Sequence, residues 1–214
     1  MNIKNSIRGF LHRYGTESMK RATWNKQFSS MTYDEMDWSR KDCVIPYLEK
    51  YTYGGDILDV GSGTGALGNG VDSNTYRHYL GVDVSSVAID WANKHNEKGS
   101  KNTYVLADMC SFETERKFSV VLFGDSLYYN PLPRVKLILE AYATYLKPYG
   151  IFLMRTCTGR RAAEIMTLVE SDYEIVEKRG LEFKNVPVLI VAFRPKASLA
   201  IREAVRSNVA IAGK

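Results

Sequence analysis

From Asp56 to about Arg155 the chain alternates short runs rich in β-branched residues with longer stretches whose apolar positions recur every three or four residues. That alternation predicts parallel strands joined by crossover helices. The strands read as Asp56–Val60, Tyr79–Val82, Thr103–Leu106, Ser119–Phe123 and Ile151–Arg155. Between them one helix opens near Gly65, and a second covers Ser85–Asn96 with Val87, Ala88, Trp91 and Ala92 as its apolar face. A third covers Pro131–Leu146, with Asn130 as its N-cap, Pro131 in the first helical position and Pro148 and Gly150 as stops. After a helix around Arg160–Val169 come two more strands, Tyr173–Lys178 and Val188–Phe193, joined by GLEFKNVP. That link is short enough for direct antiparallel pairing. The pattern predicts an α/β fold: seven strands, mostly parallel, with an antiparallel last strand and helices on both faces.

The first 53 residues read as a separate helical unit. Ile3, Ile7, Phe10, Leu11 and Tyr14 recur at helical spacing opposite Lys4, Arg8 and Arg13, and a second helix is predicted over Asp34–Lys50. Residues 54–195 form the sheet domain, and 196–214 a basic tail with a short helix through Arg206 and a frayed end.

Composition adds bounds to this picture. With 214 residues, 45% of them hydrophobic, 16 Gly and 6 Pro, the chain is an ordinary globular protein. At this size roughly 70% of the unfolded surface can be buried, so no covalent staples are needed. Cys43, Cys110 and Cys157 form no C-x-x-C pair, which argues against a disulfide framework or a zinc site and fits a reducing, cytoplasmic setting. The leading MNIKNSIRGFLHRYG lacks the apolar core of a secretory signal, and no run approaches the ~18 apolar residues of a membrane span. The net charge of +5 is uneven: residues 1–26 carry six basic side chains against Glu17, and 195–214 carry four against Glu203, so the middle is net negative.

The chemistry centres on ILDVGSGTGALG, Ile57 to Gly68, where the first strand gives way to the first helix. Gly61, Gly63 and Gly65 allow a tight turn and close approach of backbone to a ligand. Gly63, Gly65 and Gly68 also satisfy the dinucleotide pattern G-x-G-x-x-G. Asp59 decides between the two, because a carboxylate at the strand end repels a pyrophosphate but suits a ligand bearing an ammonium and a sulfonium.

Over Gly54–Arg194 the chain resembles the class I S-adenosylmethionine-dependent methyltransferases, which have a Rossmann-like fold. The D-x-G-x-G-x-G loop Asp59–Gly65, Asp83 in YLGVDVS, Asp108 in VLADM, VVLFGDSLYYN and YLKPYGIFLMRT stand in the family's order. The resemblance implies S-adenosylmethionine as cofactor and S-adenosylhomocysteine as product. Asp83 would then accept from the ribose hydroxyls, with Val84 beside it; Asp108 would accept from the adenine amino group, with Met109 against the ring. Asp59 with Gly61, Ser62, Gly63 and Gly65 would hold the methionine end, and Gly124 is a further candidate for cofactor binding. It further implies an N-terminal helical lid, in which Tyr33, Trp38 and Arg40 are the candidates for an aromatic and an arginine facing the cofactor carboxylate.

The acceptor is addressed by residues expected at the carboxyl edge of the sheet: Asp125, Tyr128, Tyr129, Arg155, Arg160 and Glu182. Asp125 is the candidate base or positioning group, with Tyr128 and Tyr129 beside it. His12, His78 and His95 fall on the leading helix, before the second strand and in the helix after it, and none is expected at the site. Enzymes that methylate exocyclic base amines resemble one another in a (N/D/S)-P-P-(F/Y) tetrad after strand four; here that place reads GDSL, which disfavours a nucleic acid acceptor. No metal-ligand cluster is visible. FGDSLYYNP is similar to the NESLYYL stretch of small bacterial methyltransferases acting on sugars and oligosaccharide intermediates, including relatives of a nodulation-factor N-methyltransferase, with Gly124-Asp125 replacing the usual Asn-Glu. The expectation is methylation of a hydroxyl on a small polar acceptor, a saccharide or glycoconjugate precursor, by a monomer or homodimer. The alternatives are N-methylation of an amino sugar or other small amine, and a non-catalytic cofactor-binding module or RNA-directed enzyme using its basic ends.

Overall fold

Five short runs become the parallel strands β1 (Asp56–Val60), β2 (His78–Asp83), β3 (Asn102–Leu106), β4 (Phe118–Gly124) and β5 (Leu146–Cys157) of a computed structural model that describes residues 3–196. With β6 (Tyr173–Phe183) and β7 (Val186–Pro195) they make one seven-stranded sheet in the order β3-β2-β1-β4-β5-β7-β6. β7 alone runs against its neighbours β5 and β6, as the pattern predicted. A two-residue turn at Lys184–Asn185, both at positive φ, joins β6 to β7 and matches the twist of the strands.

Residues alternate between the two faces of each strand. Leu58 and Val60 of β1 pack with Val121, Phe123, Phe152 and Met154 under α7 (Leu132–Ala143) and α8 (Arg160–Asp172). Ile57, Val120, Leu122 and Leu153 face α4 (Ile45–Thr52), α5 (Ala66–Gly70) and α6 (Ser86–Lys94). The result is three layers with the order of strands reversing between β1 and β4, the position where ligands collect beyond the carboxyl ends of the strands.

Four expectations need correction. The helix predicted over Asp34–Lys50 is three pieces: α3 (Tyr33–Met36), a 3₁₀ turn at Trp38–Lys41, and α4. Thr32 and Glu35 close a capping box on α3, and Pro46 near the start of α4 has no N–H to carry a helix through from upstream. A helix was also missed, α2 (Glu17–Phe28), capped by the Thr16 side chain and following α1 (Ile3–Tyr14). Asn130 is not the cap of α7; Pro131 holds that position, and Asn130 follows a 3₁₀ turn at Leu127–Tyr129. The residues read as a stop at Pro148–Gly150 lie inside β5, where the register against β4 shifts. The expected helix after Ala197 lies outside the described residues. Among the described residues no helix is long and apolar enough to cross a membrane.

Candidate active site

The carboxyl ends of β1 to β5 open into a cavity of about 330 Å³. Its floor is the turn after β1. Gly61 sits at φ 86° and its α-carbon faces Ser126 so closely that a Cβ would lie 2.7 Å from the Ser126 Cβ. Only glycine fits there, and the turn therefore meets the loop after β4 across the strand-order reversal. Gly65, also expected at the ligand, is instead turned to the protein. It caps α5 at φ 72°, its carbonyl accepts from the Tyr104 hydroxyl at 3.1 Å, and a Cβ would strike the Tyr104 ring. It does not line the cavity.

Three carboxylates stand at successive strand ends along the cavity. Asp59 on β1 is buried, accepts a hydrogen bond from the Tyr79 hydroxyl, and is pushed up to about 7 by desolvation. Asp83 ends β2 and accepts from the backbone N–H of Gly63 at 2.9 Å and of Ser85 at 2.8 Å; burial raises it to about 6 against those bonds. Asp108, beyond β3, accepts from Cys110 N–H at 2.8 Å and from Lys20 Nζ at 3.3 Å. Each keeps lone pairs for a further donor.

Lys20 comes from α2, which with α1 forms the roof. Arg21 Nε donates to Val84 carbonyl at 3.2 Å, and Asn25 bonds Ser85 and Ser86 at the start of α6, fixing α2 over the ends of β2 and β3. Trp24 packs edge-on against Tyr129 at 4.9 Å, and His12 lies 4.3 Å from Trp24 and 5.4 Å from Tyr129. His12 thus lines the cavity, contrary to the expectation that no histidine reaches it, and burial lowers its pKa. His78 and His95 stay outside.

At the far end the predicted acceptor residues gather. Asp125, Tyr128 and Tyr129 line the cavity, with the two tyrosine rings 4.5 Å apart. Asp125 adopts the left-handed conformation at φ 51°, accepts from Cys157 N–H at 3.1 Å, and is ion-paired to Arg155. Arg155 is 4% exposed and also lies 3.5 Å from Asp42. The ion pair and the Cys157 N–H together fix the Asp125 carboxylate as a positioning group at the cavity wall. Burial likewise drives the Tyr128 phenol well up. Arg160 and Glu182 are exposed and do not line the cavity.

Arg40 is misplaced by the sequence reading. It forms ion pairs with Asp37 at 2.9 Å and Glu97 at 2.7 Å on the outer surface of the helical segment, away from the cavity. Tyr33 packs on Trp91, and of that group only Trp38 reaches the cavity wall. The remaining expected residues, Ser62, Gly63, Val84, Met109 and Gly124, all line the cavity. Missed altogether were Lys20, Trp24, Gln27, Phe28, Asp42 and Ser126.

The residues suit a nucleoside ligand with a cationic end. Acceptor-only groups face the places where hydroxyls and an amino group would stand, Asp59 faces the turn, and the Ser62 and Ser126 hydroxyls are buried without partners.

A family model described as a methyltransferase domain matches residues 57–150. No curated protein sequence matches the chain. Among solved structures, the N-methyltransferase NodS from Bradyrhizobium japonicum WM9 in complex with S-adenosyl-L-homocysteine is similar over 81% of this chain and 98% of its own, at TM-score 0.65 and 16% identity. DhpI in complex with S-adenosylhomocysteine is similar over 85% of this chain and 96% of its own, at TM-score 0.65 and 18% identity. The glycopeptide N-methyltransferase MtfA complexed with sinefungin covers 75% of this chain and 87% of its own, at TM-score 0.59 and 14% identity. At these identities the structures share the fold.

Proposed function

We propose that this methyltransferase, with its cofactor S-adenosylmethionine, methylates a small polar acceptor of the saccharide or glycoconjugate-precursor type. The observation that carries the reading is the row of Asp59, Asp83 and Asp108 at three adjacent strand ends around one cavity, on either side of the glycine turn. When bound, the cofactor supplies a sulfonium methyl group open to in-line attack. Asp83 accepts from the ribose hydroxyls, Asp108 from the adenine amino group with Met109 against the ring, and Asp59 with Gly61, Ser62 and Gly63 surrounds the amino-acid end. Within the N-terminal unit α1 and α2 act as the roof that excludes water, and 54–195 act as the cofactor domain. The work of the chain is then to hold the acceptor aligned with the methyl group.

Tyr128, Tyr129 and Trp24 give an aromatic wall suited to a sugar ring. The sequence reading favoured a hydroxyl acceptor. The side chains support an amine better, since the cavity wall carries two carboxylates, Asp42 and Asp125, against the one guanidinium of Arg155, and so attracts a cationic group. NodS and MtfA, two of the proteins that share the fold, are N-methyltransferases, which agrees with that direction. Calorimetry with S-adenosylmethionine and S-adenosylhomocysteine, followed by mass spectrometry of methyl transfer to paired amino and neutral sugars, tests it. Cofactor binding with turnover confined to amino sugars supports the amine; turnover confined to neutral sugars returns the assignment to the hydroxyl.

A further inference from the structure

The end of the cavity farthest from Asp108 holds an imbalance of charge. Arg155 lies between two carboxylates, Asp125 and Asp42, and Asp42 is itself 5% exposed. One guanidinium balances one carboxylate, so the trio carries a surplus negative charge, with Arg155 and Asp42 buried and Asp125 partly open to the cavity, an arrangement that a cationic partner would stabilise. Among the described residues the other Lys or Arg lining the cavity is Lys20, and it is engaged by Asp108 at the opposite end. Independently, the Ser126 hydroxyl beside Asp125, in a residue 7% exposed, is a buried polar group of the same lining that lacks a partner. Trp38 covers one face of Arg155 with its ring 5.4 Å away, holding the guanidinium in place.

Position separates this trio from the nucleoside end. In the order β3-β2-β1-β4-β5 Asp125 and Arg155 stand at the last two strand ends, with Asp42 reaching them from the segment before α4; adjacent strands are about 4.8 Å apart, so about 19 Å separates the β3 and β5 positions. The amino-acid end of the cofactor, at Asp59 on the neighbouring β1, brings a carboxylate along with its ammonium, and the two carboxylates that would repel it outnumber the one guanidinium that would attract it. An acceptor amine brings no such group.

We propose that Asp42, Asp125 and Arg155 form the binding site for the ammonium group of an acceptor amine, with Ser126 Oγ as a further hydrogen-bond acceptor. The proposal rests on the cofactor reading above, and names the residues that select the acceptor. Asp42 and Asp125 attract the cation, and one of the two carboxylates takes a proton from the ammonium so that the nitrogen lone pair is free to attack the methyl group, while Arg155 holds the two carboxylates apart.

The test loads the full chain with S-adenosylhomocysteine and titrates glucosamine, galactosamine and mannosamine by calorimetry, each against its neutral sugar. At least one amino sugar should bind about 10-fold or more tightly than its neutral counterpart, and Asp42→Asn and Asp125→Asn should each remove about 10-fold of that affinity. Asparagine retains the acceptor oxygen toward Val44 N–H and tolerates the left-handed conformation at 125, and a thermal melt confirms the fold of each variant. The affinity for S-adenosylhomocysteine should stay within about 3-fold in both, a difference below one kcal/mol. Amino and neutral sugars binding alike, or no amino sugar binding, overturns the proposal. So does loss of S-adenosylhomocysteine affinity in a folded Asp42→Asn variant, which assigns the trio to the cofactor's own ammonium. If the unaltered protein fails to bind S-adenosylhomocysteine, the cofactor reading falls instead, and the same sugar titrations on the protein alone judge the trio.

Discussion

Lys20, in the second helix of the chain, donates to the carboxylate of Asp108 at the end of the third strand, 88 residues on, across 3.3 Å. Both side chains are almost fully buried, so neither charge has much water to fall back on. This one ion pair ties the helical roof to the sheet at the place assigned to the adenine ring.

Lys20→Met should therefore leave Asp108 buried without its cation. Removing one partner of a buried pair costs about 3–5 kcal/mol, and a loss toward the lower end is expected because Cys110 N–H still serves Asp108. Urea denaturation measures it. A change under about 0.5 kcal/mol would mean that the pair is open in solution.

Gly61→Ala should damage binding more than folding. Alanine at φ 86° costs about 1–2 kcal/mol, and its methyl must displace Ser126 from 2.7 Å, shifting the loop that carries Asp125. Expected are a modest fall in melting temperature and a large loss of S-adenosylhomocysteine binding. Retained affinity would show that the ligand does not lie across this turn.

Acidity gives a third prediction. Asp59 at about 7 and Asp83 at about 6 bind protons more tightly folded than unfolded, where the ordinary value is 3.8. Between those limits the native state holds more protons, so both groups make the ligand-free protein less stable as pH rises from about 4 to about 7, with no further loss above. Asp59→Asn should flatten that slope in thermal melts. Conversely, cofactor affinity should rise from about pH 6 to about pH 8, as Asp59 ionises and attracts the cationic end. Affinity that is flat over this range would remove Asp59 from the contact set.

Much of this site was legible because its residues lie within or just after buried strands. β1 matched residue for residue, since Asp56–Val60 is an uninterrupted buried run. α2 was missed because it faces a cavity and not a core: its inward positions Lys20, Trp24 and Gln27 are polar or aromatic and make no apolar stripe. Arg40 was misassigned for a different reason: the helix expected to carry it breaks into short pieces before Pro46, and its guanidinium pairs with Asp37 and Glu97 and not with the cavity. Likewise His12 entered the site through the pairing of α1 with the turn at Tyr129, a contact between residues more than a hundred positions apart.

The three-acid row is tested most directly by calorimetric titration of S-adenosylhomocysteine into the unaltered chain and into Asp83→Ala. A single site is expected in the first, weakened in the second by about 1–3 kcal/mol through loss of the ribose hydrogen bonds. Equal dissociation constants in the two proteins would contradict the assignment of the cavity to an adenosine cofactor.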